Sequence, residues 1–365
     1  MIELSPCRFG TLEYPIKSLS NGIKYHGTRD RGLAMKKVLS ATAILVLSTS
    51  LAAAADVATK AAPAAAPAPP PPAWDIGFGG LVQSDYNFRG ISQTNHKPGA
   101  NAYFEPRYNV TPNIQLYAGI AGWSIEFPNN AAAEIDLYGG IRPTFGPLAL
   151  DLGVIYYYYP GGRTFLGFTG TAPNLFDPNP FCTNLFTGAN ASCNAIKGDV
   201  SYVEFYAKAT YTFNDNWSAG VAGYFDPSFL NFGADGWFVN GNLKYTGTAI
   251  PSFFWLTNVG WYISGDVGHY WLGTTDAFYL FTDLPDYTTW DVGLGFTYKV
   301  FTLDLRYYDT DLSKAECNVI TSAHTAGFSP GNITAINPSG LGTNWCGSAF
   351  IVAFKADLSL MTNVK

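Results

Sequence analysis

From Trp74 to the end, the chain alternates. Over stretches of about ten residues every second position is apolar, and the positions between hold glycine, tyrosine, asparagine or single charges. Residues 74–83 set Ile76, Phe78 and Val82 against Asp75, Gly77 and Gln83. Residues 134–142 set Ile135, Leu137 and Ile141 against Glu134, Asp136, Tyr138 and Arg142. In "LALDLGVIYYYYPGG", 148–162, one row runs Leu148, Leu150, Leu152, Val154, Tyr156, Tyr158, while the other carries Asp151, Ile155, Tyr157 and Tyr159. A period of two is that of a β-strand whose faces meet different surroundings. Twelve such strands are predicted, the others at 101–108, 113–123, 203–213, 216–225, 236–245, 253–263, 290–299, 301–308 and 350–358. The 253–263 stretch is the least marked, since neither row holds a charge, and "GHYWLG" at 268–273 reads as an extra short strand.

The connections alternate as well. Links after even strands are short, such as "NVTPN", "TFGP", "NDN", "TGTAIPS" and "KVF". Links after odd strands are long, at 84–98, 160–198, 226–234, 264–288 and 309–347, with "PNNAA" near Pro128 the short exception. Strands long enough to cross a bilayer when tilted, with turns at one end and loops at the other, predict an all-β fold: an antiparallel, transmembrane up-and-down β-barrel of about twelve strands. A soluble β-sandwich also alternates, but its polar row faces bulk water and is rich in Lys and Glu. Here the strand ends gather aromatics instead: Trp74, Tyr108, Trp217, Phe225, Tyr245, Trp290, Tyr298 and Tyr307. Tyr156 and Tyr158 are expected at the outer headgroup layer, with Tyr157 and Tyr159 lining the mouth.

Composition supports this reading. The chain is 16% aromatic and only 13% charged, with 38 glycines. "MKKVLSATAILVLSTSLAAAAD" has the basic start, short apolar run and small-residue end of a secretory signal peptide at 35–55. Residues 1–34 then read as an over-extended start, 56–73 as an Ala/Pro-rich linker and 74–365 as the barrel, exported to the bacterial outer membrane. Without residues 1–55 the chain has 14 basic and 24 acidic side chains, a net charge of −10. Such acidity excludes a nucleic-acid footprint and mildly favours cations. Cys182, Cys193, Cys317 and Cys346 match no zinc spacing and, in an oxidising compartment, predict two disulfides; nearest neighbours are the expected pairs, Cys182–Cys193 and Cys317–Cys346.

If the apolar rows face lipid, the other rows line a lumen. The candidate pore-lining residues are Glu105, Arg107, Glu134, Asp136, Arg142, Asp151, Glu204, Lys208, Lys244, Asp291, Lys299, Asp304, Arg306, Lys355 and Asp357. They would either border water or pair with each other inside a narrow barrel, as buried charges must. No catalytic set is visible and no G-x-S-x-G occurs; His96, His269 and His324 fall in expected loops, and His269 with Asp266 is a thin start for a dyad. Passive diffusion of small hydrophilic solutes or ions, with outer-membrane lipid outside and no cofactor, is the expected function. A structural or adhesive barrel is the alternative, and a barrel enzyme a more distant one.

"SDYNFRGISQTNHKPG", 84–99, and the closing "RYYDTDL…C…C…FIVAFKADLSL" resemble the TorF family of porin-like bacterial outer-membrane proteins. The resemblance spans roughly 74–360 and implies a porin-like barrel without fixing a solute. It makes Asp85, Arg89, Gly90, Ser92 and Gln93 motif positions, implying a role in the first loop or pore mouth. A purely local reading has Gly90 in an unusual backbone conformation and Arg89 paired with Asp85.

Overall fold

A computed structural model describes residues 72–167 and 194–363. The expected leader, almost all of the linker and the Cys182–Cys193 pair lie outside the described residues. Twelve long strands form one sheet: β1 (Trp74–Gln83), β2 (Gly99–Thr111), β3 (Ile114–Trp123), β4 (Glu134–Phe145), β5 (Leu148–Tyr158), β6 (Tyr202–Thr212), β7 (Trp217–Asp226), β8 (Gly236–Thr246), β9 (Leu256–Leu272), β10 (Tyr287–Tyr298), β11 (Phe301–Thr310) and β12 (Ala349–Ser359). Each pairs antiparallel with the next in the chain, and Gly77–Gln83 of β1 pairs with Ala353–Ser359 of β12. The sheet therefore closes on itself and leaves no free edge.

The links sort to the two ends. One end has the turns 112–113, 146–147, 213–216 and 299–300, and the other has the loops 84–98, 273–286 and 311–348 together with 159–167 and 194–201. Along the strands one apolar row is left on the outside: Val82, Phe104, Ile120, Leu137, Val221, Val267 and Val292 are all exposed. Aromatic pairs mark both rims of this band. Trp74–Tyr108 and Trp217–Tyr245 stand at the turn end, with ring centroids 4.7 and 4.9 Å apart; Phe225–Trp237 stands at the loop end, at 4.5 Å. Exposing a Val, Leu or Phe to water forgoes about 1.5–3 kcal/mol each, so this exterior calls for apolar surroundings.

Three details depart from the sequence reading. β9 is 17 residues long and absorbs "GHYWLG", so this stretch continues the ninth strand and is not an extra one. "TGTAIPS" is no simple turn: Ile250–Phe253 folds back against the start of β9 in a small hairpin. Lys299 leaves the inner row altogether, because it occupies the β10–β11 turn with φ +55°. Alternation in the sequence ran one residue past the point where the backbone turns.

Candidate functional site: a capped lumen

The interior has two levels. At the loop end it is filled by the 84–98 loop, which folds into the barrel as a small hairpin. Asn87–Phe88 pairs with Ile91–Ser92, leaving Arg89 and Gly90 as a two-residue tip with φ +50° and +85°. Two successive positive φ values define the tight turn whose twist matches a β-hairpin. Gly90 is required by its backbone and by its surroundings, since a Cβ there would run into Thr289 and Thr310 of the wall.

Arg89 pins this tip. Its Nη1 and Nη2 donate to the Glu204 carboxylate at 2.8 and 2.9 Å, and Nη1 also donates to the Tyr270 hydroxyl at 3.2 Å. The guanidinium carbon lies 4.4–4.6 Å from the ring centroids of Phe88, Tyr224 and Phe238. Both side chains are almost wholly buried, at 7% and 0% exposure. A two-pronged Arg–carboxylate bond inside an aromatic cage has direction as well as charge. Arg89 therefore does not pair with Asp85. Asp85 organises the loop instead, accepting from Ser92 Oγ at 2.6 Å and Thr94 Oγ1 at 2.9 Å and bonding His96 Nδ1 at 2.8 Å. Gln93 joins the backbone scaffold: its N–H donates to Tyr86 O, and its C=O accepts from Glu126 N.

Above the hairpin the loops pack a second layer. Ile91, Phe127, Tyr159, Ile196, Phe229, Phe232, Ile320 and Trp345 form a buried apolar cluster. Helix α1 (Lys314–Thr321) opens with a Ser313/Glu316 capping box and is tied to the strand β12 side by the Cys317–Cys346 disulfide, Cα–Cα 5.8 Å. Tyr157 and Tyr159 both belong to this cluster; Tyr159 lines no open mouth, and Tyr157 also borders two of the cavities beneath it. Glu134 lies beneath it, receiving hydroxyl hydrogen bonds from Tyr86 (2.6 Å) and Tyr159 (2.7 Å), and Asp136 receives the Trp123 Nε1–H at 3.0 Å.

Toward the turn end the interior is open. Cavities of about 560, 400 and 300 Å³ lie below the hairpin, and the second is lined by Asn109, Pro112 and Asn113 at the turns. Charges here form two crossed networks. Arg107 and Arg142 both hold Glu105, at 2.6 and 2.7 Å, and Arg142 also holds Asp151 at 3.3 Å. Arg306 bonds Asp304 at 3.0 Å, Ser264 Oγ at 2.9 Å and Asp291. Lys355 pairs with Asp357 at 3.3 Å, whereas the Lys208 and Lys244 ammonium groups lie over tyrosine rings.

Sequence reasoning missed the depth of Arg89 and three inner carboxylates. Asp75 lies 3.7 Å from Arg107, Asp226 accepts from Tyr270, and Asp266 accepts from Asn240. The signal was available for Asp226, which continues the Tyr224 row by one period. His269 lies on the outer row of β9 and bonds Thr288 Oγ1 at 3.0 Å, three residues from inward Asp266, so the wall separates the two.

The family model described as a bacterial protein of unknown function (Gcw_chp) matches residues 71–172, a stretch that includes β1 to β5 and the Arg89 hairpin. That family carries no assigned function. No curated protein matches the chain. Among solved structures, an outer membrane channel from Pseudomonas putida F1 shows 11% identity over 82% of this chain and 100% of its own, with TM-score 0.40. The KdgM porin in complex with disordered oligogalacturonate shows 7% identity over 77% and 98%, TM-score 0.34. OmpT, an outer membrane protein of Vibrio cholerae, shows 11% over 79% and 98%, TM-score 0.32.

Proposed function

We propose that this barrel sits in the bacterial outer membrane, turn end toward the periplasm, as a channel for small hydrophilic solutes whose outer mouth is closed by its own first loop. The exposed apolar band between aromatic rims supports the membrane setting. One observation carries the channel reading: below the Arg89 hairpin the interior is polar cavity, not packed side chains. A barrel serving only as a scaffold has no use for such a space. The resemblance to the porin-like TorF family points the same way. Passage then requires the hairpin to withdraw, so the diffusion is passive but gated.

The packed cap favours a second reading, a structural or adhesive barrel without transport. Planar-bilayer recording of the refolded protein separates the two. The channel reading expects rare steps from the native chain and frequent, larger steps from a chain lacking 87–92. Silence from both would leave the structural barrel standing.

A further inference from the structure

Ion pairing divides the lumenal cations. Arg89, Arg107, Arg142, Arg306 and Lys355 each hold a carboxylate. Lys208 and Lys244 hold none among the described residues; their ammonium groups lie 4.4 Å from the Tyr206 ring and 4.2 Å from the Tyr262 ring. Lys208 stands across the β5–β6 ladder from Asp151, but that carboxylate is engaged by Arg142 and the Tyr117 hydroxyl. Position singles out Lys208 further. It lines all three inner cavities, so they meet at its side chain.

Paired charges largely cancel over the width of a pore, and an unpaired one sets the local potential. In the largest cavity Lys208 and Lys244 stand against Asp266, whose partner is the Asn240 amide, and against the one carboxylate by which Asp291 and Asp304 outnumber Arg306. The sum is even, so the positive potential is local to the two lysines, and Lys208 is the one at the meeting point of the cavities. Asn242, Ser264 and Tyr308 line the same cavity and offer amide and hydroxyl groups to a polar solute.

We infer that Lys208 is the anion-reading group of this lumen, and that the solutes it favours are small organic monoanions carrying a carboxylate beside a hydroxyl. This rests on the channel reading. It opposes the pull of the chain's overall acidity, which favours cations, so the measured sign of selectivity tells lumen from surface.

The test uses the full chain with its hairpin released by Arg89→Ala, or by deletion of 87–92 should that variant fold poorly. Reversal potentials in potassium chloride and potassium lactate gradients give the anion-to-cation permeability ratio. The expected ratio exceeds one, and the lactate conductance saturates with concentration. Lys208→Gln is expected to lower the ratio about threefold or more and to make the conductance linear. Lys208→Arg restores both, and Lys208→Met serves as a second neutral variant. Heat-modifiable gel migration identifies the folded barrels. A ratio and saturation indifferent to Lys208 overturn the anion site and leave the channel intact. Silence from every hairpin-released variant overturns the channel reading, and the anion site with it.

Discussion

The two ends of the barrel interior use the same residue types differently. At the loop end, Arg89 and Glu204 are dry, bidentate and enclosed by rings, and the aromatics above them pack as a protein core does. At the turn end, Arg142 and Asp151 line open cavities, and their side chains are 30% and 23% exposed. One end spends its charges on fixing a loop; the other keeps them along a wall. The contrast shows that inner-row charge does not by itself mark a path for solute. What distinguishes the two levels is whether water can replace a lost partner.

The largest expected effect comes from breaking the dry pair. Arg89→Ala leaves Glu204 buried without a cation, a defect of roughly 3–5 kcal/mol. Converted to a population, that favours the withdrawn hairpin by at least about a hundredfold. Open probability in bilayer recordings should rise accordingly, with Arg89→Lys intermediate because it keeps the charge and loses the fork. An Arg89→Ala chain as quiet as the native one would show that the hairpin is not what closes the mouth.

Next is the covalent tie over the cap. Removing Cys317–Cys346 frees a loop of 29 residues' separation, worth roughly 3–4 kcal/mol on the chain-entropy argument. Reduction, or a Cys317→Ser/Cys346→Ser double substitution, should make 311–348 cleavable by protease while the strands stay protected. Equal protection of loop and strands would mean that the apolar cluster alone holds the cap.

The third effect is small and belongs to the open end. Arg142→Gln removes a cation from Asp151, which water can reach, and from Glu105, which is buried but keeps Arg107 at 2.6 Å, so the expected loss of barrel stability is about 1 kcal/mol or less. A loss as large as that from Arg89→Ala would erase the distinction between the two levels. Urea unfolding, followed by tryptophan fluorescence in micelles, measures it.

The wall was legible in the sequence and the cap was not, for a physical reason. Each strand announces itself locally, since Leu137 and Asp136 need opposite surroundings wherever the strand ends up. Even there, β9 runs on past its legible part, because its inner row from Ser264 to Tyr270 holds one charge, Asp266, too few to mark a strand face. Lys299 was misplaced because period two does not signal where a turn begins. The Arg89–Glu204 bond joins residues 115 apart in sequence, and no local pattern contains it. A faint clue was present: Phe88-Arg89-Gly90 puts a large ring and a flexible backbone position around a cation, an unusual set for a solvated loop. The lining residues share this limit. Periodicity places Lys208 and Arg142 on one face, but only the fold shows that Arg142 holds carboxylates and that Lys208 holds none among the described residues.

The smallest effect concerns the seam between the first and last loops. His96 bonds Asp85 Oδ2 through Nδ1 at 2.8 Å and faces the Asn344 carbonyl through Nε2 at 3.0 Å. Both partners accept hydrogen bonds, so both contacts need the doubly protonated ring. The Asp85 bond accordingly holds the His96 pKa above its ordinary 6.5, with partial burial opposing it. A raised folded-state value means that the ring's contribution is fully present below the unfolded value and fades as pH climbs through the folded one. Ser92, which also bonds the His96 N–H, does not titrate, while Lys97, Glu126 and His324 stand along the same seam, with Glu126 held below its ordinary range. Amide exchange in 84–98 should therefore be a few-fold faster at about pH 8 than at about pH 6, beyond the intrinsic base-catalysed rise. His96→Gln keeps a donor for one contact and should flatten that difference. If the slope survives in His96→Gln, the seam's pH response does not come from this ring, and the His96 bridge only positions the loops.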